Sequence, residues 1–171
     1  MKETVDLIVV NYNTKKLLAA CLASLRRFSG APETYRLWVV DNASTDGSAA
    51  FIRSLPWVTG LFNRENRGYA AACNQGIKAG NAPYIFILNS DTQVTAGWLP
   101  PLIAALQDPE VAVVGPRLVN PAGYLVGVGV VGDEAAPLVR GWGVPDDPTL
   151  FTEPTACLSL CGACLGLKRT L

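Results

Sequence analysis

The sequence predicts an α/β protein with a mostly parallel sheet flanked by helices, and three observations predict it. Short apolar runs such as residues 7–10 and 85–88 carry no polar alternation, as strands covered on both faces require. Between them stand segments whose apolar residues recur at threes and fours. A cluster of Asn, Asp, Ser or Thr follows each of the first four runs, where an open parallel sheet presents its ligand-binding rim.

Residues 6–11 form the first predicted strand. Asn13 and Thr14 are good helix starters, and Leu17, Leu18, Cys21, Leu22, Leu25 and Phe28 make an amphipathic stripe that Gly30-Ala31-Pro32 ends. A strand is expected over 35–40, turn residues over 42–47, and a short helix over 48–55 before Pro56. A third strand fits 58–62, a helix fits 69–79 after Gly68, and residues 83–88 are the strongest strand signal. Residues 97–106 read as helix, with Pro100 and Pro101 tolerated in the first turn, and 111–114 as another strand. Residues 120–123 make a turn, and the Pro-, Gly- and Asp-rich span 132–154 reads as a long loop over the sheet's edge. Apolar residues return over 156–168, and no internal repeat occurs.

With 171 residues, half of them hydrophobic, the chain is expected to make one domain with a sizeable core. Fourteen basic residues balance fourteen acidic ones, so the chain has no field with which to hold nucleic acid. The apolar run behind Met1 is too short for a signal peptide, and nothing approaches the roughly 20 apolar residues of a membrane span. The expected location is therefore cytoplasmic, extending to the inner face of the membrane.

Cys21, Cys73, Cys157, Cys161 and Cys164 are an odd set of reduced thiols, expected as small core residues. The chain has no His, so Cys161-x-x-Cys164 lacks the partners of a zinc site. Residues 127–132 match G-x-G-x-x-G, the mark of a dinucleotide-dependent oxidoreductase, but they precede a Pro-containing loop rather than a helix. Trp142 is expected as a cover for the sheet.

The polar clusters are Asn11-Tyr12-Asn13-Thr14, residues 41–47, Asn66-Arg67-Gly68-Tyr69 and Asn89-Ser90-Asp91-Thr92. In a parallel sheet all four converge on one rim. Asn89 and Asp91, one residue apart past a buried strand, can direct two oxygens at a divalent cation that also holds a diphosphate. The alternative is that the same tetrapeptide caps the next helix. Asp41 can accept hydrogen bonds from a nucleobase edge, and Arg67 can bring positive charge near phosphates.

In order and spacing, five segments of this chain resemble the family 2 glycosyltransferases of the nucleotide-diphospho-sugar transferase (GT-A) fold. They are residues 8–13, 39–48, 66–74, 88–92 and 114–117, and the resemblance runs from Leu7 to about Lys168. It implies that Val10, Asn11, Tyr12 and Asp41 surround the nucleobase, that Gly68 and Asn74 lie along the nucleotide, and that Asp91 meets a Mg2+ or Mn2+ ion. Arg67, Asn89 and Ser90 complete the expected substrate-binding set. Asn at position 89 is similar to the rhamnosyltransferase-like branch.

The resemblance further implies a UDP- or dTDP-sugar donor, a glycan or lipid-linked acceptor, and inverting transfer in cell-surface polysaccharide or glycan synthesis. Residues 1–116 would be the nucleotide-sugar-binding part and 117–171 an incomplete acceptor-side part. The family's catalytic base follows a segment like residues 161–169, after which this sequence stops. The late acids Asp133, Glu134, Asp146, Asp147 and Glu153 do not match that context. The expectation is therefore a donor-binding half that is inactive alone, the alternative being a nucleotide-sugar-binding protein without catalysis.

Overall fold

The computed structural model describes residues 5–31 and 34–170; the opening residues 1–4 and the helix stop expected at Pro32 lie outside these. The elements run β1 (Val5–Asn11), α1 (Lys15–Phe28), β2 (Tyr35–Asp41), α2 (Ser48–Arg53), β3 (Thr59–Phe62), α3 (Tyr69–Ala79), β4 (Tyr84–Asn89), α4 (Leu99–Leu106) and β5 (Val113–Val114). They continue with β6 (Leu118–Val119), β7 (Leu125–Gly127), β8 (Val130–Asp133), β9 (Ala136–Val139) and β10 (Cys164–Lys168).

A six-stranded sheet has the order β3-β2-β1-β4-β10-β5. β1 pairs in parallel with β2 and β4, and β2 with β3. β10 enters between β4 and β5 and is antiparallel to both. The mostly parallel α/β architecture is thus as expected, with one reversed strand that apolarity alone did not orient.

Both faces of β1 are covered, which explains its unbroken apolar run. Leu7 and Val9 join Leu18, Leu22, Leu25, Leu37, Val39, Phe86 and Leu88 in the larger core. Ile8 packs with Trp38 and Ile85, while Val10 packs with Val40, Ala72 and Cys73. α3 lies so close to the sheet that a Cβ on Gly76 would stand 2.5 Å from Ile8 Cγ2.

Thr14 gives α1 no side-chain cap; its hydroxyl donates instead to Asn11 Oδ1. Cys21, Cys73 and Cys164 are buried as expected, but Cys157 is half-buried and Cys161 is exposed. The expected strand over 111–114 shortens to two residues. The loop expected over 132–154 contains ordered pairing: β8 and β9 form an antiparallel hairpin whose turn is held by Asp133 accepting from the backbone N–H of Ala135 and Ala136. The G-x-G-x-x-G match of residues 127–132 spans the β7–β8 connection and opens no helix. Trp142 is 68% exposed and covers nothing, because residues 141–143 sit at a turn tied back to Leu125.

Candidate functional site

The carboxyl ends of β1, β2 and β4 lie side by side, with Asn11 opposite Asp41 and Val10 opposite Asn89. Asn11 Nδ2 donates to Asp41 Oδ1 at 2.8 Å and to Ser44 Oγ at 3.0 Å. Asp41 Oδ2 accepts the Ser44 N–H, so this carboxylate, 2% exposed, braces the second loop. Thr14 Oγ1 lies 2.7 Å from Ser90 Oγ, which links the first loop to the fourth.

Asn42 joins the second loop to the third. Its Nδ2 donates to Asn66 Oδ1 and to the Gly68 carbonyl, and its Oδ1 accepts from Asn63 Nδ2 and the Arg67 N–H. These four part-buried hydrogen bonds use every donor and acceptor of the side-chain amide, so Asn42 orders the loops. Gly68 has φ of 81° at the head of α3, and a Cβ there would meet nothing within 4 Å; glycine is required by its conformation rather than by space.

Between these loops lies a cavity of about 400 Å3 lined by Val10, Tyr12, Asn42, Asn66, Gly68, Tyr69, Asn89, Ser90 and Asp91. Of the expected site residues, Val10, Tyr12, Gly68, Asn89, Ser90 and Asp91 line it. Asn11 and Asp41 lie buried at its base in the bracing network. Arg67 and Asn74 are exposed and off the lining. Asn42, Asn66 and Tyr69 stood in the polar clusters of the sequence but were given no role of their own; they line the cavity.

The capping alternative for residues 89–92 does not hold, since α4 begins only at Leu99. The Asn89 N–H and the Thr92 hydroxyl instead donate to the Ala163 carbonyl, which precedes β10. Tyr69 donates its hydroxyl to Asn89 Oδ1 at 2.9 Å. Desolvation first, and the neighbouring Cys73 next, hold the Tyr69 phenol well above the ordinary tyrosine value. Burial likewise pushes the Cys21 and Cys164 thiols up to about 12, so neither is a nucleophile at neutral pH.

Asp91 is exposed at the cavity, and among the described residues no group of three or more His, Cys, Asp or Glu is placed to hold a metal. One carboxylate suits a cation shared with substrate phosphates, as Mg2+ and Mn2+ sites commonly are, rather than a closed protein cage. The late acids stand away from the cavity. Asp146 pairs with Arg117, and Asp147 accepts from Thr149. Asp133 holds its own turn, and Glu134 and Glu153 are exposed off the lining. A larger cavity of about 480 Å3, lined by Val5, Phe28 and Ile103 among others, lies by the amino end of β1 and has no carboxylate.

A mostly parallel sheet with one reversed strand between β4 and β5, its polar loops gathered over one rim, is the arrangement of the GT-A fold. The structure is similar to that of a mannosyltransferase from Pyrobaculum calidifontis described in complex with GDP-Man and Mn2+. The TM-score is 0.64 and the identity 26%, over 71% of this chain and 37% of that one. The chain belongs to glycosyl transferase family 2, whose profile matches residues 6–169.

Among its relatives, the pre-mycofactocin glycosyltransferase of Mycobacterium tuberculosis is 35% identical over 104 residues, 57% of this chain and 21% of that protein. The succinoglycan biosynthesis protein ExoU of Rhizobium meliloti is 34% identical over 104 residues, 58% of this chain and 30% of that protein. The chain thus spans about a fifth to a third of the length of these two relatives. Among the described residues no helix is long and apolar enough to cross a membrane.

Proposed function

We propose that residues 1–116 carry the donor site of a sugar transfer to an acceptor hydroxyl on a glycan or lipid-linked chain, with residues 117–171 on the acceptor side. The observation that carries this reading is the convergence of four post-strand loops on the single cavity lined by Tyr12, Asn42, Gly68, Asn89 and Asp91. A nucleoside diphosphate sugar fits its chemistry. Val10 and Tyr12 offer an apolar and aromatic wall for the base, and Asp41 at the floor retains lone pairs for its edge. Asn89, Ser90 and Asp91 face the diphosphate, with Arg67 and Asn74 available to it from the rim.

Asp91 is the residue that would hold a divalent cation, which stabilises the charge developing on a departing diphosphate. The chain's own contribution is to fix that carboxylate: Ala163 clamps the loop on one side of it and Tyr69 holds Asn89 on the other. Inverting transfer also needs a group to take the acceptor's proton, and the late acids Asp133, Glu134, Asp146, Asp147 and Glu153 do not line the cavity.

Thermal unfolding with UDP, dTDP and GDP, each with and without Mn2+, tests the donor site. At about a hundredfold over its dissociation constant a ligand stabilises by roughly 2.7 kcal/mol, a rise on the order of 5–10 °C here. Asp91→Ala should abolish the Mn2+-dependent part, and Asp41→Asn should weaken the response with and without metal. Folded protein that responds to no nucleotide would sink the proposal.

A further inference from the structure

Tyr69 is the first residue of α3, and its half-exposed ring lines the cavity. Its hydroxyl reaches Asn89, at the end of β4, and donates to Oδ1 at 2.9 Å. Asn89 has little other freedom: its N–H is held by the Ala163 carbonyl at 3.0 Å, and its carbonyl accepts the Thr92 N–H at 3.1 Å. The side-chain amide is therefore oriented by Tyr69. An amide whose oxygen points at a phenol presents its amine on the other branch, and Nδ2 has no hydrogen-bond partner among the described residues. The carboxylate of Asp91 on the same cavity favours that orientation, since it attracts the amide's positive end. The raised phenol stays protonated at neutral pH and remains a donor.

We infer that Tyr69 is a positioning residue. By occupying Asn89 Oδ1 it turns Nδ2 toward the cavity to donate to an acceptor oxygen of the bound nucleoside diphosphate, and it leaves the cation to Asp91. This rests on the donor-site reading. It differs from the arrangement in which Asn89 and Asp91 both offer oxygens to the metal. The Asn in place of a carboxylate is a hydrogen-bond donor to substrate rather than a weak metal ligand.

The test is calorimetric titration of the full chain with whichever of UDP, dTDP or GDP binds it, and with the parent nucleoside, in the presence and absence of Mn2+. Tyr69→Phe keeps the ring and removes the hydroxyl. It should lower metal-free diphosphate affinity about fivefold, the equivalent of one net hydrogen bond of about 1 kcal/mol. In an Asn89→Ala background the same substitution should have no effect, which a merely structural role for Tyr69 would not produce.

Asn89→Asp keeps an acceptor for the phenol and puts an oxygen where Nδ2 stood. It should raise the ratio of affinities with and without Mn2+, and Tyr69→Phe, by freeing the amide to turn, should raise it too. An effect confined to the diphosphate assigns the acceptor oxygen to a phosphate, and one that persists with the nucleoside assigns it to the ribose; both support the proposal. Equal losses from Tyr69→Phe in the two backgrounds, or an unchanged Mn2+ ratio in Asn89→Asp, overturn it while the donor site stands. A folded, unsubstituted chain that binds no nucleotide overturns both.

Discussion

A single exposed carboxylate, Asp46, serves the starts of two helices. Its Oδ2 accepts the Lys15 N–H at the head of α1, and its Oδ1 accepts the Ser48 N–H and hydroxyl at the head of α2. The Ser48 hydroxyl first, and then the Lys15 N–H, hold its carboxyl below the usual aspartate value. A carboxyl depressed in the folded state adds stability that is complete above its unfolded value of about 3.9 and is lost as pH falls through the folded one. Asp46→Asn should therefore lower the unfolding midpoint at pH 7 and lower it progressively less below about pH 4. A difference that stays constant down to pH 2.5 would refute that role. The sequence marked Asp46 as a turn residue, and its partnership with Lys15, 31 positions away, is invisible to any local pattern. The same holds for Asn42, whose side chain orders the third loop from the second.

At the scale of elements, α3 packs tightly on the sheet. Gly76 faces Ile8 and Val40, and an added Cβ would fall 2.5 Å from Ile8 Cγ2 and 3.4 Å from Val40 Cγ2. Alanine gains about 1 kcal/mol in helix propensity over glycine, but overpacking a core costs about 1–3 kcal/mol. Gly76→Ala should accordingly lower the urea midpoint instead of raising it, and a stabilised variant would show that α3 can move away from β1. α1 to α4 and the first four strands were legible because each shows its own period of 3.6 or its own apolar run. The β8–β9 hairpin was not, because its strands are short and exposed and its Pro and Gly content reads as loop. Nor was the direction of β10, because Cys-Leu-Gly-Leu-Lys carries no mark of which way it will run.

For the whole molecule, the pole opposite the cavity is held by Asp6. This carboxylate, 1% exposed, accepts from Trp38 Nε1 at 2.9 Å, from the Ala82 N–H at 2.8 Å and from Arg169 Nη2 at 2.5 Å. Arg169 also donates to the carbonyls of Ala82 and Ile77, so the residue after β10 ties that strand to β1, α3 and the α3–β4 connection. Removing one partner of a buried pair leaves a charge without its counter-charge. Arg169→Ala should cost on the order of 3 kcal/mol in chemical denaturation. Nucleotide affinity of the folded variant should not change, since the cavity lies at the other ends of the strands. A loss below about 0.5 kcal/mol, the range of ordinary surface substitutions, would show that β10 needs no such clasp.

What the sequence by itself determined is the alternation of strand and helix, the placing of Asn11, Asp41, Gly68 and Asp91 at or beyond the carboxyl ends of their strands, and the family their order resembles. Those are local properties: the period of apolar residues, the turn chemistry of Asn, Asp and Gly, and the spacing of motifs. Only the tertiary structure decided that β10 runs backwards through the sheet, that Ala163 clamps residues 89–92, that Arg67 and Asn74 are off the cavity lining, and that Tyr69 bonds the amide of Asn89. Each of these depends on which distant groups meet once both faces of the sheet are covered. Burial then requires most polar atoms beneath the rim to find a partner, and several of those partners come from far along the chain.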